Sequence, residues 1–181
     1  HIEQRYRKVG SMTNTVISRV AFAVATFLPV VGFSAELEAP AGPVLLTVSG
    51  AIENSNTASG DAAFDREMLQ ALGAETIETT TIWTEGMQSF EGVSLQVLMD
   101  AVGATGSIMK ATAINDYSVE IPAEDWVENG PIVAYSNNGE EMSVRDKGPL
   151  WVVYPYDSSP NYQTEVIYSR SIWQLDRITV E

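Results

Sequence analysis

The chain has no cysteine, and its single histidine is His1. Without cysteine there are no disulfides, so a domain of this size has to be held by its core. The two absences together exclude Ser-His-Asp and Cys-His nucleophilic machinery after His1, and any zinc or copper site built on imidazole or thiolate. A carboxylate-only calcium site would need a regular Asp-x-Asp-x-Asp-Gly loop, and none is present. Positive charge is the second scarcity. Ten Lys and Arg face 24 Asp and Glu, a formal net charge of −14. A surface this acidic, with no polybasic run, repels nucleic acid and anionic lipid headgroups, so neither is an expected partner.

Long apolar runs are also missing. The stretch from Val20 to Val31 is too short to span a bilayer comfortably. It follows Arg19 and precedes the small residues Gly32, Ser34 and Ala35, which is the order of a secretory signal peptide. The expected organisation is residues 1–11 as upstream sequence outside the fold, 12–35 as a signal peptide, and 36–181 as one exported, periplasmic domain. Cleavage after Ala35 leaves bulky Phe33 three residues from the cut, while cleavage after Ser34 puts Gly32 there, and both sites stay open. Residues 36–181 keep six basic and 23 acidic side chains, a formal charge of −17.

What is present reads as an α+β domain of short strands and two or three short helices. Val44 to Val48 forms a strand ending at Gly50, and Asp65 caps a helix with Met68, Leu69 and Leu72, stopped by Gly73. Glu75 to Trp83 is rich in Thr and Ile and predicts a strand. Ser94 caps a second helix to Val102, with Leu95, Leu98 and Met99 at helical spacing. Strands follow at 108–114, 117–121 and 132–136, with a turn at Asn115-Asp116, one helical turn carrying Trp126, and a hairpin signal at Asn137-Asn138-Gly139. Leu150 to Tyr154 is continuously apolar, a strand buried on both faces. A loop from Pro155 to Gln163 leads to a last strand within 173–180.

Several of these segments carry a family resemblance. Phe90-Glu91-Gly92-Val93-Ser94-Leu95, Asn115-Asp116-Tyr117 leading to Ile121-Pro122, Asn138-Gly139 and Gly148-Pro149-Leu150 resemble, in order and spacing, the molybdopterin-binding domain of the sulfite-oxidase type. The resemblance implies a mixed-sheet α+β fold of that type and a pocket for a pterin. Family enzymes hold molybdenum through a cysteine on the strand upstream of Phe-x-Gly, where this chain reads Thr79-Thr80-Thr81-Ile82-Trp83. A neutral hydroxyl does not replace a soft thiolate, so molybdenum is not expected. Small exported cysteine-less relatives, some of which bind free pterins and report to membrane proteins controlling cyclic-di-GMP, are similar in length and leader.

A pterin needs an aromatic face to stack on, a carboxylate for its amino edge, and Arg, Lys or backbone N–H for its oxo edge. Trp83 is the stacking candidate, or else a core residue. Asp116, with Asn115 and Tyr117, is the edge-binding candidate, or else ordinary turn chemistry. Arg145, Lys147 and Arg170 are candidates for an anion or carbonyl clamp, or else pair with Glu140, Glu141 and Asp146. Tyr154, Tyr156, Tyr162 and Tyr168, with Trp173 beyond, line the long loop as a ligand lid, a docking face, or a loop pinned by its own tyrosines. Glu120, Glu124 and Asp125 could be paired for hydrolysis, but acids are too abundant for such a pair to signify. The expected function is an exported, non-catalytic pterin-binding sensor or carrier. The alternative is a molybdopterin-dependent oxidoreductase without the cysteine ligand.

Overall fold

Two sheets grow from two different hydrophobic patterns, as seen in a computed structural model that describes residues 37–181. The expected signal peptide, 12–35, and residues 1–11 lie outside the described residues. Alternation builds the first sheet. In β1 (Leu46–Gly50) Leu46 and Val48 are buried while Thr47 and Ser49 are half-buried. Strands β5 (Ile108–Ala113) and β10 (Leu175–Val180) repeat the pattern with Met109, Ala111 and Ala113, and with Leu175, Ile178 and Val180. With β2 (Ala62–Phe64) and β6 (Ser118–Pro122) the order is β2-β1-β10-β5-β6. Only β1 and β10 run parallel, so the sheet is mixed.

Continuous apolar runs build the second sheet. Ile132 to Tyr135 of β7 (Ile132–Asn137) and all of β9 (Trp151–Val153) are buried, as residues covered on both faces must be. Strands β3 (Glu75–Thr79), β4 (Gln88–Ser94) and β7 lie side by side, and β7 also pairs with β8 (Glu140–Glu141) and β9, all antiparallel. The glycine of the Phe90-Glu91-Gly92 segment sits at a register shift between β4 and β7. A Cβ there would meet the Val133 carbonyl oxygen, so only glycine allows this approach of the strands.

Helices α1 (Arg66–Ala71), α2 (Leu95–Ala101) and α3 (Glu165–Arg170) are short. Both sheets and all three helices bury side chains in one core cluster that includes Phe64, Leu69, Phe90, Leu98 and Ile167. Among the described residues no helix is long and apolar enough to cross a membrane.

The expected α+β class is observed, with two sheets and few helices. Asp65 caps α1 through its Oδ1, which accepts the Met68 N–H at 2.9 Å. Asn138 and Gly139 both take positive φ, the conformation of a two-residue hairpin turn. Four expectations need correction. The threonine strand stops at Thr79 rather than Trp83, because Asp157 accepts the Thr80 N–H and ends the ladder. Ser94 stands at the start of α2 without a capping hydrogen bond, because it is the last residue of β4 and is held there in register with Ile132. Strands β2 and β4 and helix α3 add elements where the sequence suggested a loop or a bare motif. The Pro155–Gln163 segment is wound into two 3-10 turns, Tyr156–Ser158 and Pro160–Tyr162.

Candidate functional site

Three loops converge on a cleft of about 330 Å³. The Thr80–Met87 turn contributes Trp83, the β5–β6 turn contributes Asn115 and Tyr117, and the α3–β10 segment contributes Tyr168, Ser169, Ser171, Trp173 and Gln174. The volume falls in the range of small-molecule sites, with aromatic walls and a few convergent polar groups. None of the lining side chains is charged.

The walls belong to a continuous aromatic cluster. Trp83 packs edge-to-face against Trp151, Tyr168 and Trp173, with ring centroids 5.8, 5.8 and 5.5 Å away. Trp83 is half-buried, so it is at once part of the packed body and a wall of the cleft. Trp151, fully buried beneath, donates its indole N–H to the Ser171 carbonyl at 3.2 Å. The Ser171 hydroxyl accepts from Tyr156 at 2.7 Å and donates to the Ile167 carbonyl at 2.8 Å, which fixes the cleft floor to α3. Burial pushes the Tyr156 phenol up to about 12, only partly offset by its bond to Ser171. Tyr117, 57% exposed, and Trp173, 36% exposed, form the rim.

A carboxylate clip holds the Trp83 turn in place. Asp157 accepts the Thr80 N–H at 2.6 Å and the Thr80 hydroxyl at 2.8 Å, while its own N–H donates to the Thr79 hydroxyl at 3.1 Å. These bonds, the Thr80 N–H first, hold the Asp157 carboxyl below the usual carboxylate range. Thr81 and Thr84 share a hydroxyl hydrogen bond at 2.7 Å, and the Thr81 oxygen also accepts the Trp83 N–H at 3.0 Å. Thr79, Thr80 and Thr81 thus all spend their hydroxyls on neighbouring protein groups. As a donor set for molybdenum they do not fit. Among the described residues no group of three or more His, Cys, Asp or Glu is placed to hold a metal ion.

The seven residues singled out in the sequence separate into two groups. Trp83, Asn115 and Tyr117 come together at the cleft. Asp116 takes positive φ in the same turn, but its side chain is 85% exposed and pairs with Arg177 at 2.6 Å. Arg170 points to Asp125, Nη1 to Oδ2 at 2.9 Å, and that same oxygen accepts from Tyr154 at 2.8 Å. Burial, followed by the Asp125 charge, drives the Tyr154 phenol far above its ordinary range. Arg145 is exposed on a 3-10 turn, Val144–Asp146, outside the cleft. Lys147 lies behind the wall, its ammonium 5.6 Å from the Trp151 ring and 5.7 Å from the Trp173 ring. The expected cationic clamp is therefore not assembled at the cleft: Arg170 pairs with Asp125, Lys147 lies over the Trp151 and Trp173 rings without lining the cleft, and Arg145 faces solvent.

Ser169, Ser171 and Gln174 were not foreseen as lining residues, whereas Tyr168 and Trp173 were read with the long loop as a ligand lid, a docking face or a self-pinned segment. Their signal was the spacing: two aromatics, Tyr168 and Trp173, bracket a hydroxyl-rich Ser169-Arg170-Ser171 stretch just before a strand. Compared with known proteins, the chain matches no family model, and no curated protein matches it.

Proposed function

We propose that the chain is an exported, non-catalytic pterin-binding protein with the sulfite-oxidase-type molybdopterin-binding fold. It acts as a sensor or carrier whose loaded form docks on the periplasmic domain of a membrane cyclic-di-GMP enzyme. The observation that carries the reading is the cleft itself, a small recess walled by Trp83, Tyr168 and Trp173 and edged by neutral hydrogen-bonding groups. A flat bicycle with an amino-oxo edge matches such a lining, stacking on the rings while the Asn115 and Gln174 amides and the Ser169 hydroxyl meet its edge. The mixed first sheet and the glycine at the β4–β7 register shift support the fold assignment. The hydroxyls committed around Thr80 support binding over redox turnover.

Titration of the purified protein with oxidised and reduced pterins, read by quenching of tryptophan emission, tests the reading. We expect saturation at one ligand per chain in the micromolar range. Trp83→Ala should weaken binding about 10- to 100-fold, the scale of one base stacked on one aromatic ring. No saturation with any pterin would sink the proposal, and stoichiometric molybdenum in protein from its native compartment would favour the oxidoreductase alternative.

A further inference from the structure

A second recess, of about 210 Å³, lies beside the cleft, and Tyr168 lines both. Small-molecule sites run from about 300 Å³ upward, so this recess suits a single side chain better than a whole ligand. Its lining differs from that of the cleft by including a charge, the exposed carboxylate of Asp157. Thr80 takes two of the roughly four acceptor positions of that carboxylate, and among the described residues no Lys or Arg pairs with it. The Gln163 amide donates to the Tyr156 carbonyl at 3.0 Å, and its oxygen has no partner among the described residues. Tyr156 and Tyr168 complete the walls. A carboxylate, an amide oxygen and phenol rings together suit a cation with N–H donors, an ammonium or a guanidinium.

Large apolar side chains stand exposed around the same two openings. Ile82, 61% exposed, lines the recess, and Tyr117 and Trp173 form the rim of the cleft. Ile114, also exposed, sits between the cleft-lining residues Ala113 and Asn115. Scattered exposed apolar residues are ordinary on a protein surface, but a group of them around a recess marks a face that another molecule covers. Charge decides which molecule. Residues 36–181 carry a formal charge of −17, which repels nucleic acid, anionic lipid headgroups and a second copy of the chain. A basic protein segment is drawn in by the same field.

We infer that the cleft rim and the recess beside it form a docking face for a basic, apolar segment of another protein. A Lys or Arg of that segment enters the recess against Asp157 and Gln163, while neighbouring aromatic or aliphatic side chains cover Ile82, Tyr117 and Trp173. The face borders the mouth of the cleft, so the partner meets whatever the cleft holds. The inference rests on the rim and the recess rather than on the cleft's ligand, so a failed pterin titration leaves it standing.

Random peptides displayed on phage and panned against the immobilised full chain test it. We expect the enriched sequences to place a Lys or Arg within a few residues of Trp, Phe, Leu or Ile. A synthetic peptide of enriched sequence, titrated by calorimetry, should bind about 10-fold more weakly to Asp157→Asn, the lower end for a hydrogen bond to a charged group. Ile82→Ser should weaken it several-fold, and Val44→Ser, which alters an exposed apolar residue before β1, should leave it unchanged. Norleucine in place of the peptide's basic residue should cost about the same 10-fold with the unaltered chain and nothing further with Asp157→Asn, a coupling that a damaged fold does not produce. Enrichment of acidic or uncharged sequences, no enrichment, or undiminished binding to Asp157→Asn overturns the inference. So does a dimer in sedimentation that Ile82→Ser dissolves, because the occupant would then be a second copy of the chain.

Discussion

Asp65 and Asp157 perform the same chemistry in two regions of the molecule and with different consequences. Each carboxylate gathers donors from nearby loops: Asp65 takes the N–H groups of Ala41, Gly42 and Met68 at 2.8, 2.8 and 2.9 Å, and Asp157 takes the N–H and the hydroxyl of Thr80. In both, those hydrogen bonds hold the carboxyl below its ordinary range, the Gly42 N–H leading at Asp65. Asp65 is 1% exposed and ties the segment before β1 to a helix, whereas Asp157 is exposed and ties the Trp83 turn of the cleft to the Tyr156–Ser158 turn beside it. A carboxylate clip inside the body serves stability. The same clip at a cleft serves shape.

Removing each clip separates the two roles. Asp65→Ala should give the largest loss, lowering the thermal midpoint by several degrees, because a helix cap goes and the Ala41 and Gly42 N–H groups lose their acceptor. Calorimetry measures it, and cleft binding should be unaffected. Asp157→Ala should lower the midpoint less but release the Trp83 turn, shifting tryptophan emission to the red and weakening the cleft ligand several-fold. Equal effects of the two variants on midpoint and binding would break the comparison.

Acid sharpens it. Both carboxyls have folded values below the unfolded value of about 3.9, so the stability they confer is present above that pH and is lost as pH falls through the folded values. Denaturant titrations from about pH 5 downward should show this loss, with a shallower slope in Asp65→Asn and in Asp157→Asn. The smallest effect at neutral pH belongs to a group of opposite sign. Tyr156 keeps its proton up to about 12 when folded. An unfolded tyrosine releases its proton near 10, so stability should fall as pH climbs from there, and phenolate absorbance should rise together with unfolding.

The local half of this architecture was legible in the sequence. Asp65, three residues before Met68, announces a cap; Asn138-Gly139 announces a hairpin; the apolar run at 150–154 announces a buried strand. Strand β4 was hidden because Phe90-Glu91-Gly92 carries its glycine at a register shift, where period-two alternation lapses. Helix α3 was hidden because Ile167 is its only buried residue, too little for a periodic signal. The cleft was legible only in part. Trp83 and the Asn115–Tyr117 turn stand out by residue type, but what brings Trp173 and Tyr168 to them is tertiary. The threonine strand was read too long for the same reason, since its end is set by an aspartate 77 residues away.

The pairing of β1 with β10 has a bearing on the order in which the first sheet comes together. Thr47 to Gly50 lie in register beside Arg177 to Val180, and β10 is the strand that joins β1 and β2 to β5 and β6. The first sheet therefore stays open until β10 has been made. Contacts of such long sequence separation form slowly, and helices of six or seven residues nucleate little by themselves. Until β10 is in place, the β1–β2 pair and the β5–β6 pair each keep an open edge, the state most exposed to wrong strand pairing.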